Sequence, residues 1–324
     1  MHNHSPEPAA SILAQCGWIE SESAVRTVEP AGDGNMNLVE RVTLNDGQSL
    51  ILKRAHPWVQ KFPDIPAPIE RAAVEAGFFS AIAGTDVARG MPAHLRFNES
   101  RAANLFEDLG EGQDGSHIYQ TGRLDPADLA AVASWLARLH NLAPPGEKLL
   151  QNAAMRQLNA VHIFDFPLDS ANGFDLDAIT PRLQRAADKL KRDDNFRDHV
   201  SRLKGTYLTT SDGVLLHGDM HPASWLNTAH GIRIIDPEFC WIGPPEWDLG
   251  ILVAHLVLAG QEMDAVENFY ASYGRPVDRT LADRFTGVEI MRRLIGVAQI
   301  PVTLDADSKG SLLERARELV VAGG

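Results

Sequence analysis

The residues best suited to chemistry lie in two short segments of the C-terminal half, His217-Gly218-Asp219-Met220-His221-Pro222-Ala223-Ser224 and Ile235-Asp236-Pro237-Glu238-Phe239. Each follows a short apolar run with strand character, Val214-Leu215-Leu216 before the first and Ile232-Arg233-Ile234-Ile235 before the second. A hairpin between those strands is expected to bring Asp219 close to Asp236 and Glu238. Carboxylates gathered so closely raise one another's pKa and destabilise a fold unless a cation compensates them. Mg2+ suits such a site, because it takes one or two carboxylates and fills its other positions with phosphate oxygens and water. Taken singly, Asp219 reads as a turn cap and Asp236-Pro237 as the start of another turn; together the segments read as a site.

Two further stretches could serve phosphate chemistry. Gly32-Asp33-Gly34-Asn35-Met36-Asn37-Leu38-Val39 lies between strand signals, and its glycines let backbone amides approach phosphate oxygens closely. Alone it is an ordinary hairpin turn; followed by Leu50-Ile51-Leu52-Lys53 it reads as a phosphate loop with its lysine. Near the end of a late helix, Arg292 and Arg293 are adjacent. Neighbours on a helix point about 100° apart, so such a pair is ordinarily surface charge. Their fixed donors also match phosphate and sugar oxygens.

HGDMHPAS resembles the catalytic loop HGDxHxxN of the aminoglycoside phosphotransferase and choline kinase group, distant relatives of protein kinases, and IDPEF resembles that group's metal-binding strand. The resemblance implies that Asp219 is the catalytic base that orients the substrate hydroxyl, and that Asp236 holds Mg2+ bridging the ATP phosphates. It makes His217 a brace for the loop and His221 a packing residue. Ser224 stands where the group places an asparagine that reaches a metal; a serine hydroxyl is a shorter and weaker ligand, and Glu238 is the oxygen placed to replace it. Whether one metal or two bind stays open. This serine, with Asp-Pro-Glu-Phe, looks like the methylthioribose kinase branch, with Ala223 in place of that branch's glycine.

The same resemblance extends to the N-terminal half. GDGNMN is similar to the kinase glycine-rich loop in the branch's GDGNxN form, which implies that Gly32, Gly34, Asn35 and Asn37 bind ATP, Asn37 replacing a third glycine. Lys53 would close on the α and β phosphates, held by a carboxylate of the next helix. Glu75 is the first choice for that partner and Glu70 the second. Phe106-Glu107-Asp108-Leu109 matches the hinge, so that Phe106, Glu107 and Leu109 would bind adenine. Trp247-Asp248 matches an aspartate that caps the next helix and steadies the catalytic loop. Arg292 and Arg293 match a pair that binds the sugar and assists transfer, so the resemblance implies Asp219, Arg292 and Arg293 as the substrate-binding residues.

The elements that must position these residues follow from period and punctuation. A short helix is expected over Ser11 to Ile19, and a hairpin over Leu38–Val42 and Leu50–Leu52 about Asn45-Asp46-Gly47. Lys61 to Pro68 contains three prolines and is expected to be irregular, and Ile69 to Ile82 is helical. Gly110 to Gly115 has linker composition and separates an N-terminal ATP-binding lobe, 1–109, from a C-terminal catalytic and substrate lobe, 110–324. Asp125-Pro126 opens a helix, with further helices expected over about 181–204, 247–260, 262–273 and 280–298. The expected fold is α+β and bilobal, protein-kinase-like: a small N-terminal sheet with one main helix, then a larger, mainly helical lobe.

Composition narrows the partners. The 324 residues carry 43 Asp and Glu against 30 Lys and Arg, a net charge of −13, which argues against affinity built on nucleic-acid phosphates. Two cysteines without metal spacing point to a reducing compartment, and neither a signal peptide nor a membrane-spanning run is evident, so the reading is cytoplasmic with no membrane partner. The expected activity is transfer of the γ-phosphoryl of Mg-ATP to a hydroxyl of a small sugar, 5-methylthioribose of methionine salvage. The alternatives are an aminoglycoside, a choline-like amino-alcohol or another pentose as acceptor, or a nucleotide-binding regulator without catalysis. Monomer and homodimer both stay open. An ordinary protein kinase ranks last, since no HRD or DFG occurs at the corresponding sites.

Overall fold

The computed structural model describes residues 7–32 and 36–322, and the chain divides into two units, Met1–Glu111 and Gly112–Gly324. The first unit runs α1 (Ala9–Gln15), β1 (Val25–Pro30), β2 (Asn37–Leu44), β3 (Ser49–Ala55), β4 (Trp58–Val59), β5 (Phe62–Pro66), α2 (Arg71–Ile82), β6 (His94–Asn98) and β7 (Ala103–Glu107). Its main sheet has the order β1-β2-β3-β7-β6, antiparallel throughout. The two faces of a strand alternate, and the sequence uses both. Val42, Leu44, Leu50, Leu52, Ala103 and Leu105 bury against Ile12 and Leu13 of α1. Lys53 and Asn104, paired across β3 and β7, have neighbours on α2.

The proline segment departs from expectation, because Phe62–Pro66 is a strand. It pairs only with the two-residue β4, through Trp58 with Pro66 and Val59 with Phe62, an edge ribbon in which proline sacrifices little ladder.

The second unit contains β8 (Gly112–Asp114), α3 (Ile118–Thr121), α4 (Pro126–Leu139), α5 (Ala153–Ala160), α6 (Leu176–Ile179), α7 (Leu183–Lys191), α8 (Asp194–Thr209), β9 (Val214–Leu216), β10 (Trp225–Thr228), β11 (Gly231–Ile234), β12 (Trp241–Gly243), α9 (Glu246–Leu258), α10 (Met263–Tyr273), α11 (Arg279–Ile295) and α12 (Ala306–Val321). Every residue of α9 is buried, and α11 packs between α9 and α12. Gly250 makes the first contact possible, since a Cβ there would stand 2.7 Å from the Phe285 Cβ.

Three expectations change in this unit. The strands leading to the acidic segments do not pair with each other: β9 pairs with β12, and β11 with β10. The expected single helix over 181–204 is two, because Asp193 accepts a hydrogen bond from the Phe196 amide and starts α8 afresh. The glycine-rich stretch after 110 is not all linker, since Gly112–Asp114 adds a strand to β10. Helices α5 and α12 were not anticipated. No helix among the described residues is long and apolar enough to cross a membrane.

Candidate active site

Asp219 lies in a loop that follows β9, and several separate constraints shape that loop. Gly218 has φ +89°, and a Cβ on it would come within 2.0 Å of the Phe239 carbonyl oxygen, so the loop lies directly on the Asp236–Phe239 segment only because residue 218 is glycine. Asp248, fully buried, accepts hydrogen bonds from the amides of His217 at 2.7 Å and Gly218 at 2.8 Å. Helix α9 starts at Glu246, so Asp248 sits in its first turn and ties down the loop; it is not the helix cap. Trp247 Nε1 donates to the Gly218 carbonyl at 2.9 Å.

His217 joins the two acidic segments. Its Nε2 donates to the Ile235 carbonyl at 2.8 Å, which leaves Nδ1 to accept from the Asp219 amide at 3.4 Å. Burial lowers its pKa and keeps the ring neutral, as this pattern requires. Asp219 and Asp236 therefore belong to adjacent segments, although a backbone hairpin does not connect them.

The Asp219 carboxylate is held from both sides. The Ala223 amide donates to His221 Nδ1, so the His221 Nε2 carries a hydrogen toward Asp219 Oδ2 at 3.3 Å. On the other oxygen, Oδ1, Arg293 Nη2 stands at 3.5 Å and Arg292 Nη1 at 4.0 Å. Burial would raise the Asp219 pKa, but His221 and the two guanidinium groups outweigh it and hold the carboxyl well below the usual carboxylate range. The side chain keeps 17% of its exposure, enough to be reached.

The arginine pair is not surface charge. Arg293 is buried, Arg292 retains only 13% of its side-chain exposure, and both come from the last turn of α11. Arg292 Nε is buried without a hydrogen-bond partner among the described residues. Behind the pair stands Glu289, which the sequence analysis missed, although its spacing of three and four residues from the arginines was legible. Its Oε1 accepts from Arg293 Nε at 2.5 Å and its Oε2 from Arg292 Nη1 at 3.0 Å. His255 Nε2 approaches the same Oε1 at 3.2 Å, and Tyr119 donates its hydroxyl to His255 Nδ1 at 2.5 Å. Burial takes the His255 pKa down to about 3, so the ring is neutral and its single hydrogen points at Glu289.

Among the residues expected to bind metal, Asp236 is exposed and has φ +62°, a left-handed conformation that an aspartate tolerates better than most residues. Glu238 and Ser224 are buried, and the Ser224 hydroxyl donates to the Asp219 carbonyl at 2.8 Å while its oxygen lone pairs can still accept. Among the described residues no group of three or more His, Cys, Asp or Glu could hold a metal by itself. The donor set of two carboxylates and a hydroxyl, all hard oxygens, fits Mg2+ that completes its shell with phosphate oxygens and water.

In the first unit, Lys53 Nζ donates to Glu75 Oε1 at 2.8 Å, and both groups are buried; Glu70, the other candidate, is exposed. Arg71, one turn before Glu75 on α2, is 1% exposed and donates to Asn37 Oδ1 at 2.8 Å and to the carbonyls of Met36, His56 and Pro68. One helix thus holds both Lys53 and the residues that follow the glycine-rich loop. Gly32 has φ +95°, while Gly34 and Asn35 lie outside the described residues. The Phe106 ring packs on Phe79 and His94, the Glu107 amide donates to the Ala93 carbonyl at 2.9 Å, and Leu109 is half-buried.

The model of the phosphotransferase enzyme family matches residues 27–283. A curated methylthioribose kinase of Exiguobacterium sibiricum is 28% identical over 92% of this chain and 86% of its own length, and one of Bacillus cereus is 28% identical over 77% and 65%. Among solved structures, a spectinomycin phosphotransferase in complex with ADP and spectinomycin superposes with a TM-score of 0.53 at 14% identity, covering 92% of this chain and 93% of that one. That likeness shows the protein-kinase-like fold, and the match of the family model over most of the chain shows that the protein belongs to the phosphotransferase enzyme family and is a phosphotransferase.

Proposed function

We propose that the protein transfers the γ-phosphoryl group of Mg-ATP to a hydroxyl of a small, uncharged sugar, with 5-methylthioribose, phosphorylated at its anomeric hydroxyl in methionine salvage, as the acceptor. The observation that carries the choice of acceptor is the pair of guanidinium groups beside Asp219. A sugar hydroxyl or phosphoryl oxygen accepts from such a donor. A cationic aminoglycoside or choline-like group is repelled by it. The relatives named methylthioribose kinase support the same acceptor.

In this reading the acceptor hydroxyl donates to Asp219. Its oxygen forms the new bond to the γ phosphorus as the bond from phosphorus to the ADP oxygen breaks, and the proton passes to Asp219. A carboxylate held so far below its usual range is a weak base, so Asp219 chiefly orients the hydroxyl and takes the proton late. The arginines orient the sugar and offset charge on the phosphoryl group in flight. Lys53, set by Glu75, grips the ATP phosphates, with backbone amides around Gly32, Gly34, Asn35 and Asn37, and the strand end Phe106, Glu107 and Leu109 meets adenine. Asp236 and Glu238, with the Ser224 hydroxyl, are the residues that would hold Mg2+, whose chemistry when bound is neutralisation of phosphate oxygens.

ADP release with Mg-ATP should be measured against 5-methylthioribose, ribose, choline, homoserine and kanamycin, with Asp219→Ala as the blank. Selective turnover of 5-methylthioribose, reduced about 100-fold or more in the variant, is the expected result. Turnover of choline or kanamycin in preference would overturn the acceptor, and undiminished turnover in Asp219→Ala would overturn the assignment of Asp219.

A further inference from the structure

We propose that Glu289 is a positioning residue for the acceptor: from the preceding turn of α11 it sets both guanidinium groups of Arg292 and Arg293, and a Tyr119–His255 brace sets Glu289 in turn. The proposal rests on the reading that the arginine pair meets the acceptor.

Ion pairs at a spacing of three and four residues are common on helix surfaces, where they are exposed and contribute little. Glu289 differs in burial and in the number of groups it serves. It is fully buried, and a buried carboxylate is strongly unfavourable unless it is paired and hydrogen-bonded. One carboxylate takes Arg293 Nε and His255 Nε2 on Oε1 and Arg292 Nη1 on Oε2. Arg293 is thereby held on one edge with its remaining donors directed elsewhere, whereas Arg292 Nη1 faces both Glu289 Oε2 at 3.0 Å and Asp219 Oδ1 at 4.0 Å. Arg293 Nη2 faces Asp219 and Arg293 Nη1 the Ala298 carbonyl, while Arg292 Nε is left without a partner among the described residues. The result is a layered arrangement of Glu289, then two guanidinium groups, then Asp219. The charges nearly cancel within it, so neither arginine is drawn away from the acceptor by an exposed acid.

The brace fixes the position of the carboxylate itself. Because Glu289 only accepts, His255 must donate from Nε2, which leaves Nδ1 to accept the Tyr119 hydroxyl. His255 belongs to the fully buried α9, and its ring lies 5.5 Å from that of His221, which donates to the other side of Asp219. The placement of the arginines is thus coupled to the same packed layer that places the loop of Asp219.

The test is a double-mutant cycle read in KM for 5-methylthioribose, KM for ATP and kcat, using Glu289→Gln, Arg293→Ala and the combination. Glu289→Gln is expected to raise the acceptor KM about 10-fold with the ATP KM unchanged, and to raise it by a clearly smaller factor once Arg293 is already alanine, because the share of its effect that runs through Arg293 is then gone and only the share through Arg292 is left. Should Glu289→Gln fail to fold, Glu289→Asp keeps the charge while withdrawing the carboxylate, and the same rise in acceptor KM is expected from it. If Arg293→Ala raises the acceptor KM but neither Glu289 variant does, or if their effects are independent, the positioning role is wrong while the arginine reading stands. If 5-methylthioribose is not turned over, or Arg292→Ala and Arg293→Ala both leave its KM unchanged, the reading beneath the proposal falls and the proposal falls with it.

Discussion

At the scale of single residues, the chemistry is a matter of which charges survive burial. Asp219 and Glu289 stay ionised because each is matched to arginines and a histidine, and the pair Arg292 and Arg293 is buried because both carboxylates are there to receive it. Truncating either arginine to alanine is expected to raise the acceptor KM about 10-fold and leave that for ATP unchanged; unaltered steady-state kinetics in both variants would return the pair to surface charge. The buried histidines predict a pH response of definite sign. His255 is neutral in the fold down to about pH 3, while in the unfolded chain it binds a proton below about 6.5, so the unfolded state takes up more protons and stability falls as pH falls through that window. The slope is about 1.4 kcal/mol per pH unit for each such group, and His217 acts in the same direction. The depressed carboxyls of Asp219 and Glu289 contribute stability that is fully present above about pH 4 and is lost only in more acid solution, so they do not mask the effect. Urea unfolding at pH 7 and pH 5.5 reads this directly, and an unchanged unfolding free energy would show that the histidines are protonated in the folded chain.

At the scale of elements, the site depends on close approaches that few residues permit. The Asp219 loop lies on the Phe239 carbonyl at a residue with φ +89°, and Gly218→Ala should cost at least about 2 kcal/mol and abolish turnover, as thermal melting and ADP release would show; a variant with wild-type melting and rate would mean that the loop can be held without this contact. Signals confined to one element were legible in the sequence. Asn45-Asp46-Gly47 marked the β2–β3 hairpin, and Asp125-Pro126 marked the start of α4, where Asp125 accepts from the Ala127 amide. Pairing between distant short strands was not. β9 and β12 are three residues each, too short for apolar alternation to choose between partners, so the nearer β11 looked as suitable as the true one. The acidic segments nevertheless adjoin, through the His217 ring and the Gly218 contact, so the site survives the change of strand partner.

At the scale of the whole molecule, the net charge of −13 says little about the acceptor, because two guanidinium groups stand beside Asp219, the proposed base. Residue types and spacing in the sequence indicated the family and the arginine pair. Burial, which separates that pair from ordinary surface charge, is a property of the packing of α9, α11 and α12 and has no local signature. The meeting of Glu289 with His255 and Tyr119 is likewise a product of packing, since the three come from separate helices; only the spacing of Glu289 from the arginines is local. Phosphoryl transfer to a sugar hydroxyl oriented by Asp219 is read out by phosphorus NMR of 5-methylthioribose incubated with Mg-ATP and either the wild-type protein or Asp219→Ala. One new sugar phosphomonoester, attached at the anomeric carbon, is expected with the wild type, and almost none with the variant over the same time. No sugar phosphate with the wild type, or equal amounts from both proteins, would contradict it.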